Sequence, residues 1–159
     1  MTNVREPAED EIGHLATVWH DGWHDAHAQL VPAELIKLRT PENFLAWLRD
    51  VLPEVRVIGP LGSPVGLCIL KGDELNQLYV ASHARGTGAA ALLVADAEQR
   101  FRRRAVETAW LACAIGNLRA ARFYEKCGWR RTQTFIDDLD TSNGHFALEV
   151  WRYEKSLTV

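Results

Sequence analysis

One junction in this chain leaves few choices of fold. The strand-like run Leu75-Asn76-Gln77-Leu78-Tyr79-Val80 leads through Arg85-Gly86-Thr87-Gly88-Ala89-Ala90 straight into Ala91-Leu92-Leu93-Val94-Ala95, a strong helix-forming stretch. A strand, a glycine turn and a helix start in that order require sheet and helix to pack together. They also make a place to hold a phosphate. Gly86 and Gly88 can take positive φ and let backbone N–H groups approach an anion. The first N–H groups of the helix lack intrahelical partners and lie at the positive end of its dipole. A pyrophosphate is the natural occupant. A nucleoside triphosphate is not, because Ala89 and Ala90 stand where a phosphate-binding loop needs Lys and Ser or Thr. The dinucleotide fingerprint needs a third glycine, and this mid-chain turn has two.

A second signal follows about thirty residues later: Asn117-Leu118-Arg119-Ala120-Ala121-Arg122-Phe123-Tyr124-Glu125-Lys126-Cys127-Gly128-Trp129. It reads as a short helix with its punctuation, Asn117 at the N-cap and Gly128 just past the end. Ahead of it, residues 107–114 alternate around Trp110 and Leu111 like a buried strand. Asn117 and Tyr124 share a helix face about 10 Å apart, a spacing suited to an extended ligand.

The two motifs together resemble the GNAT superfamily of acetyl-coenzyme A-dependent N-acetyltransferases. The family's pyrophosphate turn, Arg/Gln-x-x-Gly-x-Gly/Ala, is met by Arg85, Gly88 and Ala90. Its later pattern, Asn-x-x-Ala-x-x-Phe-Tyr-x-x-x-Gly-Phe, is met by Asn117, Ala120, Phe123, Tyr124 and Gly128, with Trp129 replacing the final aromatic. The specific match spans Leu75 to Trp129. The resemblance implies an α/β (α+β) fold, with a mixed, mostly antiparallel sheet of about six to seven strands flanked by about four helices. It implies that the sheet is splayed near the glycine turn so that a thioester lies between strands.

The resemblance also implies roles. Arg85, Gly86, Thr87, Gly88, Ala89 and Ala90 would hold the pyrophosphate of acetyl-coenzyme A. The backbone of Leu78, Tyr79 and Val80 would hold the pantetheine and the acetyl oxygen. Asn117, Ala120 and Phe123 would line the cofactor arm, and Tyr124 would donate to the departing sulfur. A phenol near pKa ~10 is a weaker acid than a thiol near ~8.5, so stabilising the thiolate by a hydrogen bond is the larger part of that role. Without the motif, Tyr124 would read as a packed aromatic.

Glu74 is either the general base that some members place there or a surface carboxylate beside a turn. Strict alternation puts it on one strand face with Asn76, Leu78 and Val80. The need for a base depends on the acceptor: at pH 7 an α-amine is neutral about one time in six, a lysine about one time in 2,500. Trp23, His24 and His27 lie where the family's first helix lines the acceptor site; otherwise the Trp packs inward and each His faces solvent. His20-Asp21-Gly22-Trp23-His24 mimics His-Glu-x-x-His, but Asp replaces the catalytic Glu and no third ligand is evident. No metal is expected.

The chain has 159 residues, 47% of them apolar, enough for one domain over 1–159 with a real core. A net charge of −3 gives no footprint for nucleic acid or an acidic membrane. Met1 to Pro7 has no apolar core for a signal peptide, no run approaches membrane length, and Cys68, Cys113 and Cys127 form no Cys-x-x-Cys pair. A cytoplasmic monomer or homodimer acting on a small-molecule or peptide amine is the expectation. The alternatives are transfer of a longer acyl group, or a non-catalytic acyl-coenzyme A-binding module.

The remaining elements read as a strand over Thr2 to Glu6 and a helix from Ala8 to about Leu30, broken at Gly22. A helix over Pro41–Leu52, capped by Thr40, precedes strands over 55–58 and 64–70. Residues 130–137 and 146–154 read as two last strands joined by a turn at 140–144.

Overall fold

Strand alternation and helical periodicity meet across a single sheet, whose two faces carry separate apolar clusters. The computed structural model describes residues 3–158. The element order is α1 (Ile12–His27), α2 (Ala33–Lys37), α3 (Pro41–Asp50), β1 (Val55–Ile58), β2 (Gly66–Lys71), β3 (Glu74–Val80), α4 (Ala89–Arg103), β4 (Thr108–Ala114), α5 (Leu118–Lys126), β5 (Arg130–Thr141) and β6 (Gly144–Ser156). The strands form one six-stranded sheet in the order β1-β2-β3-β4-β6-β5. Every pairing is antiparallel except β3 with β4. Among the described residues the sheet has six strands, and five α-helices flank it. Among the described residues no helix is long and apolar enough to cross a membrane.

On one face α1 and α3 bury Leu15, Trp19, Trp23, Phe44 and Leu48 against Val55, Val57, Leu67 and Ile69. On the other, Leu93, Val94, Ala97 and Phe101 of α4 and Ala121 and Tyr124 of α5 pack on Cys68, Leu111, Cys113 and Tyr153. Thr40 caps α3 through Asn43 N–H at 3.2 Å, with Pro41 in the first turn. Asn117 caps α5 through Ala120 N–H at 3.3 Å. That helix closes with Gly128 at φ +89°, Trp129 N–H on Tyr124 O (2.9 Å) and Gly128 N–H on Glu125 O (3.0 Å). This is the bond pair that ends a helix on a left-handed glycine, and it fixes the rotation of α5 that aims Tyr124 at the sheet.

Three expectations change. The strand over Thr2 to Glu6 is reduced to one bridge, Arg5 with Val57, and Thr2 lies outside the described residues. The last two strands are longer and meet at a two-residue turn, with Thr141 opposite Gly144. The first helix is not broken at Gly22. A Cβ there would lie 2.7 Å from Cδ1 of Tyr79, so the glycine lets α1 approach β3. Gly22→Ala is therefore expected to lower the melting temperature by a few degrees despite alanine's better helix propensity, because overpacking costs ~1–3 kcal/mol. Thermal unfolding followed by circular dichroism checks it; an unchanged or raised Tm would mean Tyr79 yields freely.

Candidate active site

The sheet opens where β3 and β4 part. The two strands pair only at Glu74 opposite Trp110, with Trp110 N–H on Asp73 O at 3.1 Å. Further along, Ala81 N–H turns toward β2 and bonds Val65 O at 2.7 Å. Successive N–H groups of a strand alternate in direction, so those of Val80 and Leu78 point into the split. A parallel sheet would have used them; here they face open space.

Just beyond the split, Gly86 and Gly88 take φ of +80° and +87°, the left-handed region. A Cβ at either position would meet nothing within 4 Å, so conformation rather than crowding calls for glycine there. Gly88 is the N-cap of α4, and no side chain caps it. The first N–H groups of α4, from Ala89 to Ala91, are thus left for an anion. Thr87 turns away and donates its hydroxyl to Ala84 O at 2.6 Å, which fastens the turn.

A cavity of about 410 Å³ runs from this turn into the split. Its walls include Leu78, Tyr79, Val80, Arg85, Gly86, Gly88, Ala89, Ala90, Asn117, Ala120, Phe123 and Tyr124, with Thr87 outside them. A smaller cavity of about 70 Å³ lies deeper in the split. It shares Ala26, Leu78, Tyr79, Asn117, Ala120 and Tyr124 with the first, and His27, Asn76, Gln77 and Cys113 are among those it adds. Tyr124 therefore stands where the two meet. Burial pushes its hydroxyl well above the ordinary phenol value, so it is a neutral donor throughout the physiological range. Burial also pushes the Cys113 thiol up, to about 11. The amide oxygen of Asn117 is committed to its cap, which leaves the NH2 end for a ligand.

Glu74 sits differently from the expectation. Across β2 the register passes from Ile69 opposite Gln77 to Leu70 opposite Leu75, so Asn76 is an extra residue, a bulge. Leu75, Leu78 and Val80 consequently all pack toward α4, while Tyr79 packs toward α1 and Gln77 receives Trp19 Nε1–H at 3.3 Å. Glu74 alternates with Leu75 and faces the α1 side, not the side of Leu78 and Val80. It lines neither cavity. Burial raises its carboxyl to about 7, with Asp137 and Asp73 adding to the shift.

Of the three first-helix residues, only His27 reaches a cavity. Trp23 is 7% exposed and belongs to the α1–α3 core. His24 Nε2 bonds Arg39 O at 2.7 Å, and His20 Nδ1 bonds Asp21 at 2.9 Å. The His-x-x-x-His spacing is thus tied up in local bonds. Residues to which the sequence assigned no site role also form walls. Gly22 and Ala26, small and one helical turn apart, bring α1 to the larger cavity, and Arg119 joins from α5. Asp25 of α1 pairs with Arg85 and, at 3.6 Å, with Arg119. Small residues at i and i+4 on one face of an amphipathic helix are the available signal.

A family model for the acetyltransferase (GNAT) family matches residues 12–129. The peptidyl-lysine N-acetyltransferase YjaB of Salmonella typhimurium is 27% identical over 154 residues, covering 87% of this chain and 91% of that protein. A GCN5-related N-acetyltransferase of Rhodopseudomonas palustris superposes with a TM-score of 0.76 at 19% identity, over 98% of this chain and 96% of that one. YncA of Salmonella typhimurium, solved with its cofactor acetyl-coenzyme A, gives a TM-score of 0.72 at 14% identity, over 99% of this chain and 94% of that one. A positive-φ turn opening an uncapped helix, beside a parted pair of strands, fits a pyrophosphate followed by a thin amide-bearing arm, and so the chain belongs to the acetyltransferase (GNAT) family, as an acetyl-coenzyme A-dependent N-acetyltransferase.

Proposed function

We propose that the acceptor is a lysine side chain of a peptide or protein, acetylated by direct attack on the bound thioester. The observation that carries this reading is the meeting of a broad cavity and a 70 Å³ one at Tyr124. The narrow space suits an unbranched amine-tipped chain, and none of its walls is a carboxylate that would hold the amine as an ammonium ion. The likeness to a peptidyl-lysine N-acetyltransferase supports the same acceptor class.

The residues divide the work as follows. The turn from Arg85 to Ala90 and the start of α4 bind the pyrophosphate through backbone N–H groups. Leu78 and Val80 N–H receive the acetyl oxygen and the pantetheine amide, and strengthen as the carbonyl oxygen gains charge. Tyr124 donates a hydrogen bond to the sulfur as it leaves. Cys113, a neutral thiol at pH 7, is unsuited to form an acetyl-enzyme, which favours one-step transfer in a ternary complex.

The test is thiol release from acetyl-coenzyme A with an N-terminally blocked peptide carrying one lysine. Its Lys→Arg counterpart and a lysine-free peptide with a free N-terminus serve as comparators. The blocked lysine peptide is expected to turn over and to carry one acetyl group on Nζ by mass spectrometry. Turnover of the free α-amine alone would replace lysine by a protein N-terminus as the acceptor.

A further inference from the structure

The amine must give up a proton during transfer, and the residue facing it in the inner cavity is a histidine. His27 ends α1 and lines the 70 Å³ cavity together with Tyr124, Asn76 and Gln77. Its ring stacks on Trp23 at 4.7 Å and 22°, and Nδ1 lies 2.7 Å from Trp23 O. A carbonyl oxygen only accepts, so Nδ1 carries the proton and, in the neutral ring, Nε2 carries the lone pair. Among the described residues Nε2 has no hydrogen-bond partner. Stacking and the Nδ1 bond together fix the ring in one tautomer and one orientation, which is what a general base requires.

We propose that His27 is the catalytic base on the acceptor side, its Nε2 taking the amine proton directly or through one water. This rests on the lysine-acetyltransferase reading above. As the amine nitrogen bonds to the acetyl carbon, its proton passes to Nε2. The C–S bond then breaks, and the thiolate takes its proton from Tyr124. The imidazolium returns its proton to the phenolate through solvent, so amine and thioester become amide and thiol with both side chains restored.

The surroundings agree. Burial lowers the imidazole below its ordinary 6.5, and the charges of Arg39 and His24 push the same way, against the opposing Trp23 carbonyl. Tyr79 from β3, Cys113 from β4 and Tyr124 from α5 are the other titratable groups on the cavity walls, and each is held protonated by burial. His27 is therefore neutral at pH 7 and ready to accept. Glu74, at the closed end of the split and outside the cavity, is the rival.

The test compares wild type, His27→Asn and Glu74→Gln for acetylation of the lysine peptide, with kcat followed from acid to alkaline pH. Asn keeps a donor for Trp23 O and removes Nε2. We expect His27→Asn to lower kcat about 100-fold while binding coenzyme A as wild type does by calorimetry. The wild-type acid limb, set below about pH 6.5, vanishes with it. Added imidazole is expected to restore His27→Ala, which opens the space the ring filled; a merely structural role would give no rescue. Retention of kcat within threefold and of the limb in His27→Asn, or loss of the limb in Glu74→Gln instead, overturns the proposal. A wild type that turns over only a free α-amine overturns the lysine acceptor; on that amine, loss of kcat and of the acid limb in His27→Asn supports the base and their retention overturns it. A wild type that releases no thiol overturns both readings.

Discussion

Tyr124→Phe is expected to lower kcat about 10²–10³-fold while leaving the KM for acetyl-coenzyme A within about twofold. The ring packs against Phe123, Trp129 and Tyr153 at centroid distances of 5.4, 6.3 and 6.3 Å, contacts that phenylalanine keeps. Only the hydroxyl is lost, and in the proposed reaction it is the donor to the leaving sulfur, on a residue that lines both cavities. The size of the effect follows from the charge it faces. A leaving thiolate gains several kcal/mol from one aligned, preorganised donor, whereas a resting thioester gains little. Burial raises the phenol well above its usual value, so the hydroxyl stays protonated and available as a donor. Tyr124 therefore contributes no alkaline limb to the pH profile below about pH 10. Steady-state thiol release checks both parts. A kcat within threefold of wild type would remove Tyr124 from the reaction and return it to packing.

What could be read in the chain was local. Gly86, Gly88 and Gly128 each answer to a backbone angle, and Asn117 to a helix end, so their meaning is written within a few residues of each. What could not be read depends on partners far away in sequence. Gly22 looks like a helix breaker by propensity, yet its reason is Tyr79, which crosses α1 from β3. The bulge at Asn76 leaves no compositional mark. One extra residue reverses the alternation and moves Glu74 to the opposite face from Leu78. Trp23, His24 and His27 looked equivalent, being one helical turn or less apart. The rotation of α1 sends Trp23 inward, ties His24 to Arg39 O and leaves His27 on the split. The long β5–β6 hairpin was curtailed because turn-forming residues at Asp140 to Gly144 end a strand by propensity. Pairing instead continues to Thr141 and Gly144, and Arg39 Nη1–H bonds Asp140 O at 2.6 Å.

Glu11→Ala is expected to cost about 3 kcal/mol of stability, lowering the melting temperature by roughly 6–12 °C. Glu11 is 0% exposed and gathers four donors onto one carboxylate. Arg5 reaches it twice at 2.8 Å, Ala8 N–H at 2.7 Å and Gly62 N–H at 2.8 Å. It thereby joins the chain's first residues, the entrance of α1 and the loop after β1. Alanine leaves the half-buried Ala8 N–H without its partner, releases the Gly62 loop and frees Arg5, which is a greater loss than any surface ion pair. The same bonds predict an acid dependence. Chiefly through the Arg5 hydrogen bonds, the folded carboxyl titrates at about 2 instead of its ordinary 4.5. A carboxyl depressed in the folded state stabilises fully above its unfolded value and progressively less as pH falls toward its folded one. Wild type should therefore lose this contribution between about pH 4.5 and 2, and Glu11→Ala, lacking it throughout, should show a flatter Tm over that window. Scanning calorimetry of both proteins down that pH series decides it. Parallel curves would mean that the four bonds survive protonation and that the carboxylate's charge adds nothing to them.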